Sequence, residues 1–73
     1  MDESEKKERK QFKAEQIGKV LRAYRKDRGL EISDVGLILE EQYGLKVKEK
    51  TIYNWESGQY FISTKPLMAL IDY

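Results

Sequence analysis

Thr51-Ile52-Tyr53-Asn54-Trp55-Glu56-Ser57-Gly58 is the stretch that decides how this 73-residue chain folds. At roughly 100° per residue, Thr51, Ile52 and Trp55 fall on one side of a helix, while Glu49, Lys50, Tyr53, Asn54 and Ser57 fan over the other. One face can anchor while the other meets a ligand. Gly58 follows directly and suits the left-handed cap that ends helices. The spacing predicts a helix over residues 48–57.

Upstream, the pattern is helical again. Ile17, Val20, Leu21, Tyr24 and Arg28 recur at helical spacing from Ala14 onward, and Gly29 closes that segment. Leu30, Ile32, Val35, Leu37, Ile38, Leu39 and Tyr43 mark a second helix ended by Gly44. Ser33 is its expected N-cap, with Ile32 placed to staple against Leu37. Leu45-Lys46-Val47 forms a short connector whose alternate apolar residues can tuck inward. Downstream, residues 59–62 form a loop with two aromatics, Tyr60 and Phe61. Ser63 or Thr64 can then cap a fourth helix that tolerates Pro66 in its first turn, with Leu67, Leu70 and Ile71 as its buried side. The chain reaches Tyr73 inside this periodicity without a C-cap, so the natural polypeptide is expected to continue into a further helix or an oligomerisation domain. The fold class is all-α, a compact domain of four helices over residues 14–73.

Residues 1–13 are nearly all charged, with Phe12 the one apolar side chain after the initiator, and read as a flexible arm. Glu, Lys and Arg are good helix formers, so the arm can extend the first helix transiently. The chain has no cysteine, hence no disulfide framework and no thiolate metal site, and a reducing, cytoplasmic setting is expected. It has no histidine either, which removes the commonest general base and metal ligand. No constellation of nucleophile, base and oxyanion donor is visible, so neither an enzyme nor a cofactor or metal is expected. The start is too charged for a signal peptide, and no apolar run approaches the roughly 20 residues that span a bilayer, so no membrane association is expected.

The net charge is only +1, but its distribution is uneven. Lys19, Arg22, Arg25, Lys26 and Arg28 crowd residues 14–30, whereas residues 31–45 carry Glu31, Asp34, Glu40 and Glu41 with no basic residue. Such a gradient can orient a domain on a polyanion even when the total is near neutral.

Two segments resemble the Cro and lambda-repressor type (XRE-like) of helix-turn-helix regulators. Residues 17–30, with Leu21-Arg22-x-x-Arg25, look like that family's first helix and the start of its second. Ile52-x-x-Trp55-Glu56-x-Gly58 looks like its recognition helix and cap, and residues 63–72 resemble its fourth helix. Three places depart from the pattern. Glu31-Ile32 stands where the family has a small cap followed by glutamine, Lys48 replaces the serine before the recognition helix, and residues 40–46 exceed the family's compact turn, which predicts a lengthened second helix and a looser connector.

The resemblance implies that the third helix enters the major groove of double-stranded DNA with its N-terminal half against base edges. On this chain the implied base readers are Glu49, Lys50, Tyr53 and Asn54: lysine to guanine, asparagine to adenine and glutamate to cytosine, with the tyrosine ring against thymine methyls. The implied phosphate contacts are Ser33, Lys46, Lys48, Ser57 and Gln59, and the arm's Lys6, Lys7, Arg9, Lys10 and Lys13 either add salt-dependent attraction or are simply solvated. Arg25 and Glu56 resemble the family's partly buried ion pair between the first and third helices. The function implied is sequence-specific binding as the N-terminal domain of a transcriptional repressor that acts as a homodimer on an inverted-repeat operator. A different class fits the same fold: a protein-interaction module such as an antitoxin, or a domain recruiting a mobile-element machine, with the acidic second helix and Tyr60-Phe61 as the working surface.

Overall fold

The computed structural model describes the backbone from Glu3 to Tyr73 and the side chains from Phe12 onward. Four helices follow in order: α1 (Glu3–Asp27), α2 (Ile32–Tyr43), α3 (Glu49–Glu56) and α4 (Thr64–Asp72). The domain is all-α. Helix α1 begins at Glu3, so residue 13 does not mark a helix boundary, and the charged segment continues the helix in its backbone. At 1.5 Å per residue its 25 residues make a rod about 37 Å long.

The core gathers Val35 and Leu39 from α2, Ile52 and Trp55 from α3, Ile62 from the following loop, and Ala69 and Leu70 from α4. Leu39 is completely buried at its centre. Leu45 and Val47 turn inward from the connector while Lys46 stays exposed, as their alternation predicts.

The inward face of α1 differs from the expected one. Ala14, Gly18 and Arg25 are buried and Leu21 half-buried, whereas Val20 is 68% exposed and Ile17 also faces solvent. The reason is the closeness of α3: a β-carbon on Gly18 would lie 2.5 Å from the carbonyl oxygens of both Trp55 and Glu56. Only small side chains let two backbones meet this way, so the larger apolar residues are displaced sideways around α1. In α4, Pro66, Ala69 and Leu70 are buried, Leu67 is half-buried, and Ile71, expected inside, is exposed.

Two caps are also corrected or sharpened. Ser33 is not the N-cap of α2; Glu31 is, with its N–H donating to Asp34 Oδ2 at 2.8 Å. This places Leu30 and Val35, rather than Ile32 and Leu37, at the two positions of a hydrophobic staple, and Leu37 is exposed. Helix α2 runs for 12 residues and ends at a left-handed Gly44, and the Leu45 N–H returns to the Leu39 carbonyl at 2.8 Å. Ser63 is the N-cap of α4. Two tyrosines tie that helix down: Tyr24 of α1 donates to the Leu70 carbonyl at 2.6 Å, and Tyr43 of α2 donates to Asp72 Oδ2 at 2.8 Å.

Candidate nucleic-acid interface

Helix α3 spans only two turns and is too short to hold its shape alone. Tertiary contacts hold it. Ile52 is 2% and Trp55 5% exposed, both locked in the core. Arg25 grips the end of the helix through two parallel bonds, Nε to Glu56 Oε2 at 2.8 Å and the second guanidinium nitrogen to Oε1 at 2.9 Å. Its remaining terminal nitrogen donates to the Leu30 carbonyl at 2.8 Å, so one buried cation joins α1, α3 and the start of α2. The hydrogen bond to Glu56 outweighs the opposing desolvation and raises the Arg25 pKa above its ordinary value.

With the inner face fixed, the outer face of α3 is presented rigidly. Tyr53 is 59% exposed, and Glu49, Lys50 and Ser57 also stand in solvent. Lys48 is the N-cap but, having no acceptor, makes no side-chain cap bond, and it stands in solvent. At the far end, Gly58 adopts φ +82, the Ser57 N–H bonds the Tyr53 carbonyl at 2.9 Å, and the Gln59 N–H bonds the Asn54 carbonyl at 2.9 Å.

Two adjoining recesses run along this face. One is bordered by Glu31, Ile32, Ser33, Glu49, Lys50 and Tyr53, together with Arg25. The other is bordered by Arg22, Ile32, Tyr53 and Ser57 over the Arg25–Glu56 pair. Arg25, Ile32 and Tyr53 belong to both, which makes one open groove between the outer face of α3 and the adjoining parts of α1 and α2. The structure therefore brings together Ser33, Glu49, Lys50, Tyr53 and Ser57. Asn54 is half-buried beside the groove and lines neither recess, its carbonyl accepting from Ser57 Oγ at 3.3 Å. Lys46, Lys48 and Gln59 are exposed but do not line it.

Arg22 is the groove residue that the sequence reading did not nominate. Its signal was present in Leu21-Arg22-x-x-Arg25: if Arg25 points inward at α3, a residue three positions earlier lies roughly 60° to one side, along the edge of the contact. Among the described residues, no group of three or more acidic, histidine or cysteine side chains is placed to hold a metal ion. No described helix is long and apolar enough to cross a membrane. No protein-family model, curated protein or solved structure matches the chain.

Proposed function

We propose that this domain binds double-stranded DNA and reads its sequence through the outer face of α3. The observation that carries the reading is the division of that helix: Ile52, Trp55 and Glu56 are fixed to the core and to Arg25, while Lys50, Tyr53 and Ser57 project together from a rigid, uncovered surface. A major groove about 12 Å wide admits a helix in this way. Lys50 supplies a donor for guanine O6 and N7, Glu49 an acceptor for cytosine N4, and Tyr53 an apolar ring for thymine methyls. Asn54, half-buried at the flank, supplies an amide for adenine N6 and N7. Ser33 stands in the first turn of α2, where the helix dipole favours a phosphate. Lys46, Lys48, Ser57 and Gln59 add backbone contacts on either side. In the full reading the domain is the DNA-binding part of a repressor acting as a homodimer on an inverted repeat in the cytoplasm.

The test is selection of bound duplexes from a random pool, repeated at two salt concentrations. An enriched motif that weakens with Lys50→Ala supports base reading by α3, each good contact giving about 1–3 kcal/mol of discrimination. Equal recovery of all sequences sinks specific recognition, and no binding at low salt sinks DNA binding altogether.

A second reading, a protein-interaction module, is favoured by one observation. Tyr60, Phe61, Met68 and Ile71 are all exposed on α4 and its preceding loop, and none of them lines the α3 groove. Exposed apolar side chains of this kind suit a partner protein or a second copy, and they leave the α3 groove open.

A further inference from the structure

We infer that Lys19, Arg22 and Lys26 of α1 form a phosphodiester-binding strip that holds the DNA backbone beside α3; the inference rests on the DNA-binding reading above. Taking Gly18 as the direction in which α1 faces α3, Arg22, Lys26 and Lys19 lie about 40°, 80° and 100° round the helix, all to the same side. Two contacts fix which side that is. Glu15, about 60° round the same way, lies so close to Gly58 that a β-carbon there would meet the Glu15 Cα at 2.8 Å. Arg22 borders the recess that holds Tyr53 and Ser57. The strip therefore runs along the edge of α1 that adjoins the outer face of α3, while Tyr24, on the opposite side, meets α4.

The five cations of residues 19–28, four on α1 and Arg28 just beyond its end, divide by role. Arg25 is committed to Glu56, and Arg28 stacks on the Tyr24 ring at 3.4 Å. Lys19, Arg22 and Lys26 are exposed and, among the described residues, have no hydrogen bond, ion pair or ring contact. Their spacing of three and four residues puts like charges on adjacent turns, an arrangement that destabilises a helix. The nearest acid on that edge, Glu15, packs against Gly58. A polyanion laid along the edge removes the repulsion and supplies the partners. Because Gly18 and Arg25 lock α1 to α3, the strip sits at a fixed offset from the reading face and sets how α3 rolls in the groove.

The experiment is a DNA titration of the intact chain from about 0.05 to 0.3 M salt, for the wild type, Arg22→Gln, Arg22→Lys, the triple Lys19→Gln/Arg22→Gln/Lys26→Gln variant, and Lys65→Gln on α4 as a charge control. Each lost phosphate contact is expected to flatten the slope of log affinity against log salt by about 0.9. Arg22→Gln weakens binding roughly tenfold near 0.1 M salt, Arg22→Lys retains most of it, and Lys65→Gln changes little. The selected sequence motif stays the same, and the melting temperature without DNA does not fall. An unchanged slope in the triple variant overturns the strip, as does an equal effect from Lys65→Gln, which would mark a mere net-charge effect. A wild-type chain that binds no DNA overturns the strip together with the parent reading, and is distinguished because the reference titration itself is flat.

Discussion

Gly18 of α1 and Trp55 of α3 meet backbone to side-chain position, with a β-carbon on Gly18 falling 2.5 Å from the Trp55 carbonyl oxygen. The obstructing atoms belong to the main chain of a helix and cannot swing away, so a methyl group here must push the helices apart. Gly18→Ala is expected to cost about 1–3 kcal/mol in overpacking, set against the gain of roughly 1 kcal/mol that alanine brings inside a helix. Gly36 of α2 is the control, because its β-carbon would meet nothing nearer than the Val47 carbonyl oxygen at 3.7 Å. Gly36→Ala should therefore raise the melting temperature while Gly18→Ala lowers it. Parallel shifts in the same direction would refute the close-approach argument.

Gly58 carries two constraints and Gly44 only one. Both have positive φ, +82 and +66, where an L-residue costs roughly 1–2 kcal/mol. A β-carbon at Gly44 would meet nothing within 4 Å, whereas one at Gly58 would collide with the Glu15 Cγ at 2.6 Å and Cα at 2.8 Å. Gly58→Ala should consequently lose about 1 kcal/mol more than Gly44→Ala in denaturant unfolding, consistent with the cost of overpacking. Equal losses would show that α1 does not press on the end of α3.

The Arg25–Glu56 pair is almost excluded from water, with side-chain exposures of 11% and 7%. Removing one member leaves a buried charge without its counterion, which costs about 3–5 kcal/mol. Arg25→Ala also strips the Leu30 carbonyl of its donor. In a domain of this size such a loss leaves much of the population unfolded at 37 °C. The double variant Arg25→Ala/Glu56→Ala should lose clearly less than the sum of the singles, since neither charge is then stranded. Additive losses in urea titrations would mean that the two groups do not act as a unit.

Much of this architecture was legible in the sequence where a local rule coincides with the tertiary one. Gly44 and Gly58 stop helices by their left-handed backbone, Ser63 stands at the N-cap of α4 though its side chain makes no cap bond, and Ile52 and Trp55 lie on the apolar face of α3. The inward face of α1 was hidden because its packing depends on the absence of side-chain volume at Ala14 and Gly18, and hydrophobic periodicity counts volume present. Ile17 and Val20 mark a strip further round the helix, which stays in solvent. The cap of α2 was obscured by a residue ranking that prefers serine, although Glu31-x-x-Asp34 has capping-box spacing. Arg22 is separable from the other cations only once Arg25 is known to point at α3, because its place 60° to one side is measured from that contact.

Tyr43 and Asp72 make the domain's fastening of α4 sensitive to alkaline pH. The hydrogen bond to Asp72, followed by desolvation and the negative charge of Asp72, raises the Tyr43 hydroxyl above its ordinary pKa of 10.0. A group whose folded pKa is raised stabilises the fold fully below its unfolded value and loses that contribution as pH rises through the folded value. The stability advantage of the wild type over Tyr43→Phe should thus be constant between about pH 7 and 9 and shrink beyond pH 10, as the deprotonated oxygen comes to face the Asp72 carboxylate. Comparing the two proteins at each pH cancels the titration of the other tyrosines and the lysines. Helix α4 should loosen first, so amide exchange at Leu70 and Ile71 is the local readout. A gap between the two proteins that persists unchanged above the folded pKa would show that the hydroxyl is not the group holding Asp72.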